Sequence, residues 1–261
     1  MIGVTLALTA APSSGQEHTY RAQRTADGTP NLNGVWQALN TANWDIQTHD
    51  QRQGPLLQLG AAFSVPAGEG VVVGDEIPYQ ASALATRKAN AEQWLTLDPE
   101  IKCYMPGIPR ATYMPYPFQI VQTPSHLVFA YSFANASRIV YMNTKVEPQI
   151  DTWMGYSSGR WEGETLVIDT TGFNDQTWFD RAGNFHSDAL KVTERYTATS
   201  PDALRYEVTI EDSKVFTRPW QMRMPLYRRL EQPARLWKYN CVEFAEDVIY
   251  GHLRRTPKSS K

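Results

Sequence analysis

With 261 residues and a net charge of -2, the chain is long enough for one large β domain or two small ones. It has no basic excess of the kind nucleic acid demands. Beyond the extreme N-terminus, no apolar run reaches the ~18 residues that a membrane span requires. The 8 Trp and 13 Tyr point instead to apolar cavities edged with hydroxyl and indole N–H groups.

The first residues, MIGVTLALTAAPSSGQ, read as the apolar part of a signal peptide ending on Thr9, Ala10 and Ala11, although the usual basic start is missing. A structureless N-terminus is the competing reading. Residues 1–30 are expected to be signal remnant and linker, and 31–255 one β-barrel domain. Asn33-Gly34-Val35-Trp36 carries a Gly-x-Trp like the one that opens lipocalin-type barrels. Residues 50–78, with scattered Gly and Pro, read as a surface excursion.

The stretch YQASALATRKANAEQWLTL is rich in helix formers. Its apolar stripe of Ala81, Leu84, Ala91 and Leu95 is thin and is interrupted by Lys88, which predicts a peripheral helix. The next segment, KCYMPGIPRATYMPYPFQ, has prolines at 106, 109, 115 and 117, which forbid a long helix or central strand and predict an ordered coil over the core. Strand-like runs follow: FQIVQT, HLVFAYS, SRIVYMN, ETLVIDT, LKVTERYTAT, LRYEVTIED, WQMRMPLYRRL and LWKYNCVEF. The fold expected is mainly β, an antiparallel meander barrel of about eight or nine strands, lipocalin-like, with one peripheral helix and a long Pro-rich coil. Barrels of about this size can hold one small ligand. In an exported chain Cys103 and Cys241 either form one disulfide, or stand as a free thiol and a buried strand thiol.

The richest segment joins ETLVIDT to LKVTERY. Residues 171–189 spend far more than the two to five residues of a structural hairpin, and they include Asn174, Asp175, Trp178, Asp180, Arg181, His186 and Asp188. His186 is suited to proton transfer, with Asp188, Asp180 or Asp169 to fix its tautomer. His186 and Asp188 are two apart in extended chain and so would face one side. Glu194 falls in phase with Leu190, Val192 and Tyr196. It is either half of a buried ion pair with Arg138 or Arg223, or a general acid or base. Glu243 shares a face with Trp237, Tyr239 and Cys241 in the same way. Arg110 either clamps a substrate oxygen or ties down the coil. Tyr104, Tyr113 and Tyr116 beside it form a candidate wall or lid, with Tyr156, Asn174, Asp175 and Trp178 as further binding residues. Gly155-Tyr156-Ser157-Ser158-Gly159 fits a nucleophile elbow, but a strand follows it where a helix is required, so a serine hydrolase is rejected. The five histidines have no ligand spacing, so no metal is expected, and no cofactor signature appears.

Together PNLNGVWQAL, EIPYQ, DPEIKCYMPGIPRATYMPYPFQIVQTP, GRWEGETLVIDTTGFNDQTWFDRAGNFHSDALKVTERY and VTIEDSKVFTRPW resemble a family of exported, largely uncharacterised proteins of environmental bacteria. The likeness runs from about residue 24 to 252 and implies export, to periplasm or medium, and a lipocalin-like β-barrel. It supplies no activity. The residues alone suggest a cofactor-independent lyase, isomerase or cyclase that handles a small hydrophobic, aromatic or terpenoid-like molecule. In that reading His186 is base or acid, Asp188 orients it, Glu194 is the second proton-transfer group, and Arg110 or a tyrosine stabilises an oxyanion. Two rivals use the same surface. One is a non-catalytic periplasmic carrier; the other is a carbohydrate-active protein with a Trp178 and Trp220 platform. A close His186–carboxylate pair would favour the enzyme, and a His186 bonded only within its loop the carrier.

Overall fold

The computed structural model describes residues 20–253, apart from 55 and 232. The signal-peptide expectation for residues 1–16 lies outside the described residues. Nine strands form a closed barrel in chain order: β1 Gly34–Ala38, β2 Phe118–Gln122, β3 His126–Tyr131, β4 Ser137–Met142, β5 Tyr156–Glu162, β6 Thr165–Thr171, β7 Lys191–Ser200, β8 Ala203–Glu211 and β9 Trp220–Arg228. Four short helices lie outside it: α1 Ala81–Glu92, α2 Trp94–Leu97, α3 Arg110–Tyr113 and α4 Ala245–Tyr250. Among the described residues no helix is long and apolar enough to cross a membrane.

The period-two pattern builds the wall. Leu204, Tyr206, Val208 and Ile210 of β8 are buried, as are Trp220, Met222, Met224 and Leu226 of β9. The two strands pair with Leu204 opposite Leu226 and Val208 opposite Met222, so the apolar rows meet inside. Closure comes from β1 on β9, where Trp36 lies opposite Arg228 and the guanidinium sits 4.2 Å over the indole. Closing the sheet removes its edges.

Two expectations need correction. The barrel is not wholly antiparallel, because β4 and β5 pair in parallel, with Val140 opposite Ser157. The connection over residues 143–155 therefore returns the chain to the starting end of β4 before β5 begins. Strand β5 was not foreseen because its inward positions are small: Ser157, which bonds Thr170 at 3.0 Å, and Gly159. A Cβ at Gly159 would come within 2.7 Å of Val140 and Met142 side-chain atoms, so this wall stays thin where neighbours crowd it. The second correction concerns LWKYNCVEF, which is not a strand. It runs as coil before α4, with Trp237 and Glu243 on the exterior. Cys241 is disulfide-bonded to Cys103, which joins this coil to the Pro-rich segment. Tyr239 packs on both Tyr116 and Phe133, with ring centroids 4.2 and 5.7 Å away.

Helix α1 is peripheral as expected, with Ala83 its one buried residue. It rests on the 171–189 loop at Gly183, whose φ is +83° and where a Cβ would lie 2.5 Å from Ala91 N. Only glycine meets both demands without strain.

Candidate functional site

The Pro-rich segment and the 171–189 loop do meet at the barrel mouth. Tyr113 donates its hydroxyl to the Phe179 carbonyl at 2.8 Å, and Gly107 lies too close to Thr177 for any Cβ. They interlock, however, and the polar groups between them satisfy one another. Arg110 is 1% exposed. Its Nε donates to Asn43 at 2.9 Å, its two Nη to Asp98 at 2.7 and 2.9 Å, and Nη2 also to Glu100 at 2.7 Å. That is the tie-down reading: the bidentate fork is spent on the protein's own carboxylates.

The expected His186–Asp188 pair is not formed. His186 is buried, with Nδ1 2.9 Å from the Ser187 carbonyl and Nε2 2.5 Å from Thr177 Oγ1. A carbonyl can only accept, so Nδ1 carries the proton and the Thr177 hydroxyl donates to Nε2. Burial holds the imidazole below its ordinary range, in keeping with this neutral form. Asp188 faces out instead and pairs with Lys214 at 2.5 Å. Two residues apart should have meant one side, but the segment turns at Ser187, whose N–H and hydroxyl both bond Asp212.

Glu194 does point into the barrel, and the ion-pair reading is the one formed. Arg138 donates to it at 2.6 and 3.1 Å, and the hydroxyls of Tyr196 and Tyr206 donate to Oε1 at 2.8 and 2.9 Å. Phe129 covers the Arg138 guanidinium at 4.5 Å. Burial, with Glu194 beside them, pushes both tyrosine hydroxyls well up, so they stay neutral donors. A carboxylate already holding four hydrogen bonds has little capacity left for a substrate proton.

The remaining candidates scatter. Tyr104 packs against Trp153 at 5.1 Å, and Tyr116 lies in the aromatic stack with Phe133 and Tyr239. Trp178 is buried in an isolated bridge with Phe185. Asn174 caps its own loop by accepting the Gln176 N–H, and Asp175 is exposed. Tyr156 lines a separate 340 Å³ groove beside β5 with Arg160 and Asp169.

A roomier cleft lies elsewhere, on the barrel's flank between α1, α2 and the segment after β1. Its volume is about 560 Å³, within the range of small-molecule sites. Trp44, Val65, Leu84, Ala91, Trp94 and Ala182 form apolar wall, while Asp45, Arg52, Arg87, Lys88, Glu92 and Arg181 supply charge. Trp44 and Trp94 meet edge to face at 5.7 Å, and Arg181 lies over both rings at 4.5 and 4.9 Å. Arg181 is held there by Glu100, at 2.8 Å from Nε and 3.0 Å from Nη2. Burial opposes the charge on Glu100, but Arg181 and Arg110 outweigh it and keep that carboxyl low.

Behind this wall, Asp180 accepts the Ile46 N–H at 2.9 Å and both N–H groups of Asn184, at 3.1 and 2.6 Å. Burial and the neighbouring Asp45 push its carboxyl up to about 7, and burial raises that of Asp45 as well. The 171–189 loop reaches this cleft through Arg181 and Ala182, with Asp180 behind them, and His186 and Asp188 do not line it. Trp44, Asp45, Arg52, Arg87 and Trp94 were missed. The available signal was slight: Trp44 stands beside Asp45, and Trp94 two residues after Glu92 in a stretch read as a peripheral helix. No protein-family model matches the chain, and no curated protein matches it.

Proposed function

We propose that this chain is an exported carrier that holds a small molecule in the flank cleft. One observation carries the reading: His186, Glu194 and Arg110 are each saturated by internal partners, whereas the 560 Å³ flank cleft keeps indole faces and guanidinium groups on its wall. A carrier needs shape, apolar area and a few placed polar groups, all of which that cleft offers. Export is in keeping with the Cys103–Cys241 bond, since disulfides persist outside the reducing cytosol.

The test is native mass spectrometry of the protein purified from its own host, compared with a Leu84→Trp variant. Leu84 lines the cleft and is 49% exposed, so the indole can fill the cleft without entering the core. A non-covalent adduct on the wild type that is lost in the variant supports the carrier. An adduct kept by the variant, or none in either protein, sinks it.

A second reading keeps proton-transfer chemistry but moves it to this cleft, with Asp45 as acid or base. It is favoured by Asp45 lining the wall with a raised carboxyl. Conversion of the bound compound on incubation, lost in Asp45→Asn, would select it.

A further inference from the structure

The cations of the cleft are unequally committed. Arg181 is neutralised by Glu100 and lies 3.5 Å from Glu246, and Lys88 faces Glu92 at 3.9 Å along the helix. Among the described residues Arg52 has only a loose approach to Asp45, 3.8 Å, which is too long for a hydrogen bond. Arg87 forms no ion pair with a carboxylate among the described residues. Its Nη2 donates to the Gln47 side-chain oxygen at 2.9 Å, and its guanidinium lies 5.6 Å from the Tyr79 ring centre. Two guanidinium forks therefore stand at the cleft with donors to spare, both close enough to Asp45 to act on its carboxyl.

Guanidinium is planar and presents parallel N–H donors, which match a carboxylate two-to-two. The same cleft is lined by the Trp44–Trp94 pair, already carrying one flat cation, and by Leu84 and Val65. Indole faces favour a second flat, apolar partner in offset or edge-on contact. We infer that the cleft takes a planar aromatic carboxylate, its acid group on Arg87 and Arg52 and its ring against Trp44 and Trp94.

This rests on the carrier reading and is tested apart from it. Titration calorimetry on the wild-type chain would use 2-naphthoate, its neutral counterpart 2-naphthylmethanol, and the saturated acid decalin-2-carboxylate. The expected order places naphthoate first, with the alcohol about ten-fold weaker or more, as loss of a charge-assisted hydrogen bond predicts. The saturated acid should also fall behind. Arg87→Gln should weaken naphthoate about ten-fold and leave the alcohol within about two-fold, and Arg52→Gln should do the same to a lesser degree. Arg52 is exposed and Arg87 half-buried, and circular dichroism checks that both variants fold. Equal affinity for acid and alcohol, indifference of naphthoate to both Arg variants, or no binding of any probe overturns the aromatic-acid class. The carrier reading stands or falls separately, on the native adduct and its loss in Leu84→Trp.

Discussion

The barrel interior and the flank cleft contain the same kinds of side chain, arginines, carboxylates and aromatic rings, yet they differ in what those groups have left to give. Inside, Arg138 and Glu194 are at most 4% exposed and bond each other twice, and two tyrosines complete the carboxylate. In the cleft, Arg87 has one amide partner and Arg52 one distant acid. A buried charge is too costly to keep unless partners offset most of its desolvation, so near-complete pairing, with Arg138 Nε alone of this pair left without a partner, marks architecture. A half-exposed charge can wait for a ligand because water satisfies it meanwhile. What separates a site from a scaffold here is the residual hydrogen-bonding capacity of each residue, not its type.

The sharpest way to break that contrast is at its centre. Glu194→Ala should cost about 3–5 kcal/mol in urea unfolding, because it leaves Arg138 buried without its counter-charge. The paired replacement Arg138→Met with Glu194→Leu should recover only part of that loss: it removes the unpaired charge but leaves the buried Tyr196 and Tyr206 hydroxyls without their acceptor. Arg87→Gln should change stability by less than about 0.5 kcal/mol, as expected at a surface site. A small effect for Glu194→Ala would show that the barrel interior tolerates an unpaired charge, and the contrast would collapse.

Next in size is the closure of the mouth. Replacing Cys103 and Cys241 by serine should cost about 2–4 kcal/mol, read by the same unfolding measurement. It should also free the coil that stacks Tyr239 on Tyr116 and Phe133, visible as loss of near-ultraviolet dichroism. If the cleft is independent of the mouth, naphthoate binding to the folded variant should persist, apart from any effect through the Arg181–Glu246 contact at 3.5 Å.

The same contrast accounts for what could be foreseen. Strict alternation exposed the barrel, because Leu204, Tyr206, Val208 and Ile210 report burial directly through period two. It also brought Glu194 inside with Arg138 or Arg223 as its partner; Arg138 is the one bonded, and Arg223 pairs with Glu207 on the exterior. Strand β5 escaped because Ser157 and Gly159 bury no apolar side chain, so the pattern has no amplitude there. LWKYNCVEF misled for the opposite reason: its alternation is real but serves a coil held by a disulfide and an aromatic stack. The loop at 171–189 was correctly picked as dense in polar groups, but density does not say which ones are spent. His186 and Asp188 looked paired by spacing, and the turn at Ser187 separates them. Arg87 on α1 and Trp94 on α2, in a stretch with a weak stripe, join Trp44 and Arg52 only through tertiary contact, which local pattern cannot carry.

His186 offers a third test. Its imidazole is held below the ordinary range by burial, so the unfolded chain takes up a proton first as pH falls below about 6.5. Its contribution to stability is therefore present at neutral pH and lost as pH falls through the folded value. His186→Asn should remove part of the acid-side fall in melting temperature between pH 6.5 and 5, even if it lowers stability at pH 7 by about 1–3 kcal/mol through the Thr177 and Ser187 bonds. An unchanged acid-side slope would mean that the imidazole titrates alike in both states.

The smallest effect comes from the carboxylates behind the cleft, and its sign is opposite. Asp180 is raised from 3.8 to about 7 by burial and by Asp45, so the native state keeps a proton that the unfolded chain has released. The associated stability is full below pH 3.8 and is lost as pH rises through 7. Asp45→Asn removes one of the two negative charges yet leaves an oxygen to accept the Gln47 N–H, which Asp45 Oδ1 now does at 3.1 Å. Asp180 then titrates lower and the penalty at high pH shrinks, while His49, Arg52 and Arg87, the other charged groups acting on Asp45, are unchanged. The melting temperature of Asp45→Asn should gain on the wild type between pH 4.5 and 8, by about 2–4 °C for each kcal/mol of repulsion relieved. A parallel offset at both pH values would show that the charge on Asp45 does not act on Asp180.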